Sequence, residues 1–229
     1  MQPPARPVPF LTPSYGGLPA AGLGQVVSGG LRYSLIIKGL FGNALSNFAP
    51  VSSVQVPGNG VPGTLIVDTD GYTGGAGNRR FRIYYWLNPP PGLTTVVVTN
   101  PPANTTPNEL AVSVVLLDNV SQANPLGAIA LDVSTSARTE ESETAPTTTN
   151  DLVVHVIADA LFVRGTLGDG ETSRSVANDG RHFGGDPNLD GDASLWIATK
   201  PGERGSTTVS SSGWASRVIN GAAIVVHGP

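Results

Sequence analysis

The chain has 229 residues, 39% of them apolar, 13% charged and none cysteine, with a formal net charge of −4. That length suits one large all-β domain or two small ones; the absence of cysteine excludes disulfides and thiolate metal sites, and the acidic balance without a basic patch argues against a nucleic-acid partner. No apolar run reaches the roughly 18 residues of a membrane-spanning helix, and a surface this poor in charge suits close packing against neighbours.

Residues 1–30, MQPPARPVPFLTPSYGGLPAAGLGQVVSGG, carry six prolines and six glycines with no sustained period. Proline fixes φ and favours extended chain. Val8, Phe10, Leu11, Tyr15 and Leu18 make the stretch more apolar than a solvated linker needs. It reads as an extended arm that lies on a partner, ahead of a β-domain over 31–229. The stretch lacks a charged segment followed by an apolar run, so it does not read as a secretory signal. A protein working outside the cell would then be released by lysis.

After Gly30 the pattern turns to strands. LRYSLIIKG alternates Leu31, Tyr33, Leu35 and Ile37 on one face. VSSVQVPG and GTLIVDTDG follow, each closed by turn residues. RFRIYYWLN places Phe81, Ile83, Tyr85 and Leu87 on a core face. Its other face carries Tyr84 and Trp86, expected to meet a partner. Pro89, Pro90 and Pro91 halt that strand because they cannot donate ladder hydrogen bonds. TTVVVTN is expected as its neighbour across the corner. LAVSVVLLDNV and PLGAIALDVSTSA read as strands; SARTEESETAPTTTN, residues 136–150, is charged and Thr-rich and reads as an exposed loop. DLVVHVIADALF, ASLWIATKPG, GSTTVSSSG and ASRVINGAAIVVHG complete about eleven strands, the signature of a sandwich or barrel. Residues 163–192 form the longest irregular segment. Loops of that length commonly contact a partner, with His182 and Phe183 as the expected contacts.

Candidate chemistry is sparse. His155 alternates with Val and Ile and reads as a strand residue, and His227 lies near the end of the sequence. His182 shares its loop with Asp179 and Asp186, but no G-x-S-x-G elbow supplies a nucleophile. Glu109, Glu140, Glu141, Glu143, Glu171 and Glu203 all fall in expected loops or strand ends, and none is singled out as buried. No catalytic residue emerges, and the chain reads as a non-enzyme. DPNLDGD matches the opening of a calcium loop, with Asp186, Asn188, Asp190 and Asp192 as the oxygen ligands. The closing acid is replaced by Ile197, and Asp/Asn–Gly runs also make ordinary turns. DTDG, residues 68–71, is a weaker match. Tyr84, Trp86, Trp196 and Trp214 are candidates for a sugar-stacking platform, in competition with plain burial.

The order of four segments, IYYWLNPPPGLTTVVVT, VVLLDNVSQANPLGA, NDLVVHVIA and WIATKPGERGSTTVSSSGWASRVINGAAIVV, resembles a β-sandwich domain family of phage virion decoration proteins and bacterial surface proteins. The resemblance spans roughly residues 31–228. It implies an all-β, antiparallel, jelly-roll-like β-sandwich, here with an extended N-terminal arm. It implies no catalytic residues, and apart from the calcium ion read from the DPNLDGD motif no cofactor is expected. It implies a structural or surface-exposed role; the single sandwich, the lack of a secretory signal, the low charge and the arm then lead to the expectation of a capsid decoration (cement) protein on the virion surface, with the major capsid protein and its own copies as partners. A homotrimer or another small ring is the expected assembly. The alternative is a carbohydrate-binding or host-adhesion module of a tail or surface protein, with a glycan as its ligand.

Overall fold

The computed structural model describes residues 5–7, 23–29, 35–44, 54–56, 61–73, 78–87, 92–98, 110–134, 136–159, 165–178, 194–217 and 219–229. Val8, Phe10, Leu11, Tyr15, Leu18, His182, Phe183, Asp186, Asn188, Asp190 and Asp192 lie outside them.

The described residues form strands and no helix. In chain order these are β1 (Arg6–Pro7), β2 (Leu23–Gly29), β3 (Leu35–Ala44), β4 (Val54–Val56), β5 (Val61–Pro62) and β6 (Thr64–Thr73). Next come β7 (Asn78–Leu87), β8 (Gly92–Val98), β9 (Leu110–Asp118), β10 (Leu126–Val133), β11 (Arg138–Thr147) and β12 (Asp151–Asp159). The last are β13 (Thr166–Leu167), β14 (Thr172–Asn178), β15 (Ser194–Pro201), β16 (Gly205–Arg217) and β17 (Ile219–His227). All pair antiparallel, in four sheets: β1-β9-β3-β7-β6, β10-β17-β12-β15-β14, β11-β16-β13 and β2-β8-β4-β5. The all-β, antiparallel architecture expected from the alternating runs is present.

The second of these sheets is central. On one face it presents Leu152, Val154, Val156 and Ala158 of β12, Ala222, Ile224 and Val226 of β17, and Leu195 and Ile197 of β15. These pack against Val67, Phe81, Ile83, Val115 and Leu117 of the first sheet in one hydrocarbon core. On the other face β12 presents Val153, His155 and Ile157, and the β11-β16-β13 sheet covers them. Strands β12 and β17 are thus buried on both sides. This explains why they read as nearly continuous apolar runs and not as half-polar ones.

Four local expectations change. Residues 136–150 are not an exposed loop: Arg138–Thr147 is strand β11, paired with β16 along its length. Its burial alternates, with Glu141, Glu143, Ala145 and Thr147 inward and Ser142, Thr144 and Pro146 outward. The irregular segment 163–192 contains β13 and β14. DTDG lies inside β6, where Asp68 pairs with Arg82 at 2.9 Å in place of making a turn. Finally, β7 and β8 are not neighbours: β7 sits between β3 and β6, whereas β8 sits between β2 and β4. The three prolines therefore separate two sheets, not two strands of one sheet.

Within the expected arm, Arg6 and Pro7 pair with Asp118 and Leu117, and Leu23–Gly29 pairs with β8. Both stretches are strands of this chain's own sheets.

Candidate functional site

Between the central sheet and the β11-β16-β13 sheet lies a cluster of one histidine and three glutamates. His155 comes from the middle of β12, Glu141 and Glu143 from β11, and Glu171 from the turn before β14. Strand alternation brings the first three together. Glu141 and Glu143 are two apart on β11, so both point at the central sheet, and His155 is the inward residue of β12 beneath them.

The four side chains are at most 1% exposed. His155 Nδ1 lies 2.7 Å from Glu171 Oε2. Its Nε2 lies 3.1 Å from Glu141 Oε1 and 3.2 Å from Glu143 Oε2, without hydrogen-bond alignment to either. The outer contacts hold the carboxyls in place. Ser210 N donates to Glu171 Oε1 at 2.7 Å, Ser211 Oγ donates to Glu141 Oε1 at 2.5 Å, and Trp214 Nε1 donates to Ser211 Oγ at 2.7 Å. Glu141 Oε2 and both oxygens of Glu143 have no hydrogen-bond partner.

Room for two carboxyls at this depth comes from Gly221 on β17. A Cβ there would run into Glu143 Oε1 and Glu141 Oε2. The cluster is bounded by hydrocarbon at both ends, Val153, Val209 and Ala223 on one side and Ile157, Trp214 and Ile219 on the other. Gly213, at φ +78°, sits where β16 loses register with β11, and glycine takes that left-handed conformation without strain.

Burial dominates the electrostatics and the neighbours decide its outcome. Burial, reinforced by the facing Glu141 carboxyl, pushes Glu143 up to about 8, so it keeps its proton at neutral pH. Burial acts the same way on Glu141, but His155, Glu143 and Ser211 outweigh it and hold that carboxyl below its usual value. Burial alone would push the imidazole down; the carboxyls of Glu141, Glu143 and Glu171 prevail and hold His155 well above the usual histidine value. The cluster thus sets a buried imidazole against two carboxyls whose proton affinities are driven apart. Its chemistry is that of an internal charge cluster or a small cation cage, because no atom of it is offered to a solute.

None of these four residues was marked by the sequence as a site. Tyr84 and Trp86, expected to face a partner, do point away from Ile83 but are buried, at 5% and 4% exposure. The Trp86 ring fills the space over Gly63, where a Cβ would strike it. Trp214 is also buried, and Trp196 is half-buried with its Nε1 donating to Ser173 Oγ at 2.7 Å.

No protein-family model, curated protein or solved structure matches the chain. No helix among the described residues is long and apolar enough to cross a membrane.

Proposed function

We propose that the chain is a structural protein of a phage particle, a capsid decoration protein with a jelly-roll-like sandwich body and an N-terminal arm, and that it is not an enzyme. The observation carrying the structural role is that the histidine–carboxylate cluster found among the described residues, His155 with Glu141, Glu143 and Glu171, is shut inside the chain. The His155 cluster is at most 1% exposed, so it serves the body's own cohesion and not a substrate. The particle assignment rests on the order of the four sequence segments that resemble virion decoration domains. The low charge of the chain, 13%, supports it by limiting repulsion between copies packed on one surface.

The sugar-binding alternative loses most of its platform, since Tyr84, Trp86 and Trp214 are buried. In the proposed assembly the stretch between β1 and β2, with Val8, Phe10, Leu11, Tyr15 and Leu18, reaches the major capsid protein or a second copy. Added area of this kind gives affinity without a larger core.

The test is the copy number of the protein in purified particles by quantitative mass spectrometry. A decoration role gives on the order of hundreds of copies, as capsid symmetry requires. Its absence from particles overturns the reading, and a handful of copies moves it to the tail. Binding on a glycan array by the isolated protein would favour the adhesion module instead.

A further inference from the structure

We propose that Glu141, Glu143 and His155 form a buried site for a divalent transition-metal ion, with zinc as the best-fitting ion, held between β11 and β12. The three side chains offer ligand atoms that all lie within 4.8 Å of one another. Zinc binds histidine nitrogen and carboxylate oxygen at about 2.0–2.2 Å, which sets donors about 3.3 Å apart in a tetrahedron. His155 Nε2 lies at 3.1 and 3.2 Å from the two carboxylate oxygens, near that spacing.

Proximity alone would not distinguish such a site from an internal ion cluster. The decisive point is what the donors lack. His155 Nε2 is fully buried, aimed between two carboxyls and hydrogen-bonded to neither. Both oxygens of Glu143 and one of Glu141 are equally without a hydrogen-bond partner. Buried polar atoms left this way cost stability, and the three side chains that carry them each place one ligand atom within 4.8 Å of the other two. A cation there would give the unpaired ring nitrogen and the facing carboxyls a common partner. His155 Nε2, Glu141 Oε1 and Glu143 Oε2 are the donors that the spacing brings together, and Glu143 has a second unpaired oxygen to complete the set.

The surroundings are those of a metal centre. Metal-bound histidine usually gives its other ring nitrogen to a carboxylate that fixes tautomer and orientation. Here Glu171 takes Nδ1 at 2.7 Å and is itself anchored by Ser210 N. Glu141 is anchored through Ser211 to Trp214. The mixed nitrogen and oxygen donors favour zinc over calcium, which takes six to eight oxygens. With its ligands buried away from water, the ion is structural.

The experiment uses the full chain, unfolded in guanidinium with chelator and refolded with zinc, calcium or magnesium, or with no metal. Elemental analysis after desalting should give about one zinc per chain, and the melting temperature should rise with zinc alone. Cobalt(II), a coloured stand-in, should give the absorption of a four- or five-coordinate site. Glu143→Gln should abolish uptake, whereas Glu171→Gln, which still accepts from Nδ1, should keep one zinc with affinity about 10–100-fold weaker. Wild-type chain that refolds without zinc or cobalt and melts identically with and without them overturns the proposal, as does calcium uptake in place of zinc. The wild-type measurement stands even where a variant fails to fold, and it is independent of whether the protein is found on particles.

Discussion

The two faces of the central sheet differ in kind, although the same strands make both. On β12, Leu152, Val154, Val156 and Ala158 enter a hydrocarbon core, while one residue away Val153, His155 and Ile157 enter a layer that holds three carboxyls. The first face is held by area alone, and apolar groups of the right volume can substitute for one another there. On the second, each charged group depends on named partners. The apolar layer thus contributes bulk stability, and the charged layer fixes how β11 lies over β12. A one-residue slip of β11 would turn Ser142 and Thr144 toward His155 in place of Glu141 and Glu143.

The largest expected effects come from deleting one member of either layer. His155→Ala leaves Glu141, Glu143 and Glu171 buried without their ring and should cost about 3–5 kcal/mol in urea unfolding. Ile224→Ala, on the apolar face, should cost about 2–5 kcal/mol by opening a cavity. The comparison fails if the histidine variant proves nearly as stable as wild type. Gly221→Ala pushes a methyl into Glu143 and Glu141 and should cost about 1–3 kcal/mol, read as a lower urea midpoint. Trp214→Phe removes only the donor to Ser211 and should cost about 1 kcal/mol by the same measurement.

The smallest effect lies outside both layers. Asp151 is pulled below its usual value by His227, 2.8 Å away, and by Thr148, against the opposing effect of burial. A depressed carboxyl contributes stability that is complete above its unfolded value and is lost as pH falls through its folded one. Thermal melts from about pH 5 downward should therefore fall less steeply for Asp151→Asn than for wild type. Parallel curves would show that the carboxylate contributes nothing.

Much of this architecture was legible in the sequence, because alternation and turn residues are local signals. RFRIYYWLN, LAVSVVLLDNV and DLVVHVIA announce β7, β9 and β12 directly. β11 was missed because Thr, Ser and Glu are loop-like in composition. Its period of two, with Glu141, Glu143, Ala145 and Thr147 in step, was the available clue. His155 was correctly placed on a strand, but its partners reach it from another sheet and from a turn, and sheet stacking leaves no fixed spacing in the chain. Burial of Tyr84 and Trp86 was hidden for the same reason: alternation tells which residues share a face, not whether a further layer covers it.

The position of β17 sets an order of events during synthesis. It is the last described strand to leave the ribosome, yet it lies between β10 and β12 and is the partner of β10 in that sheet. Until it emerges, β10 and one side of β12 present unpaired strand edges, the surfaces that recruit other nascent chains. Premature termination before Ile219 would leave both edges open, so shortened chains should aggregate even though every other strand of the sheet is present.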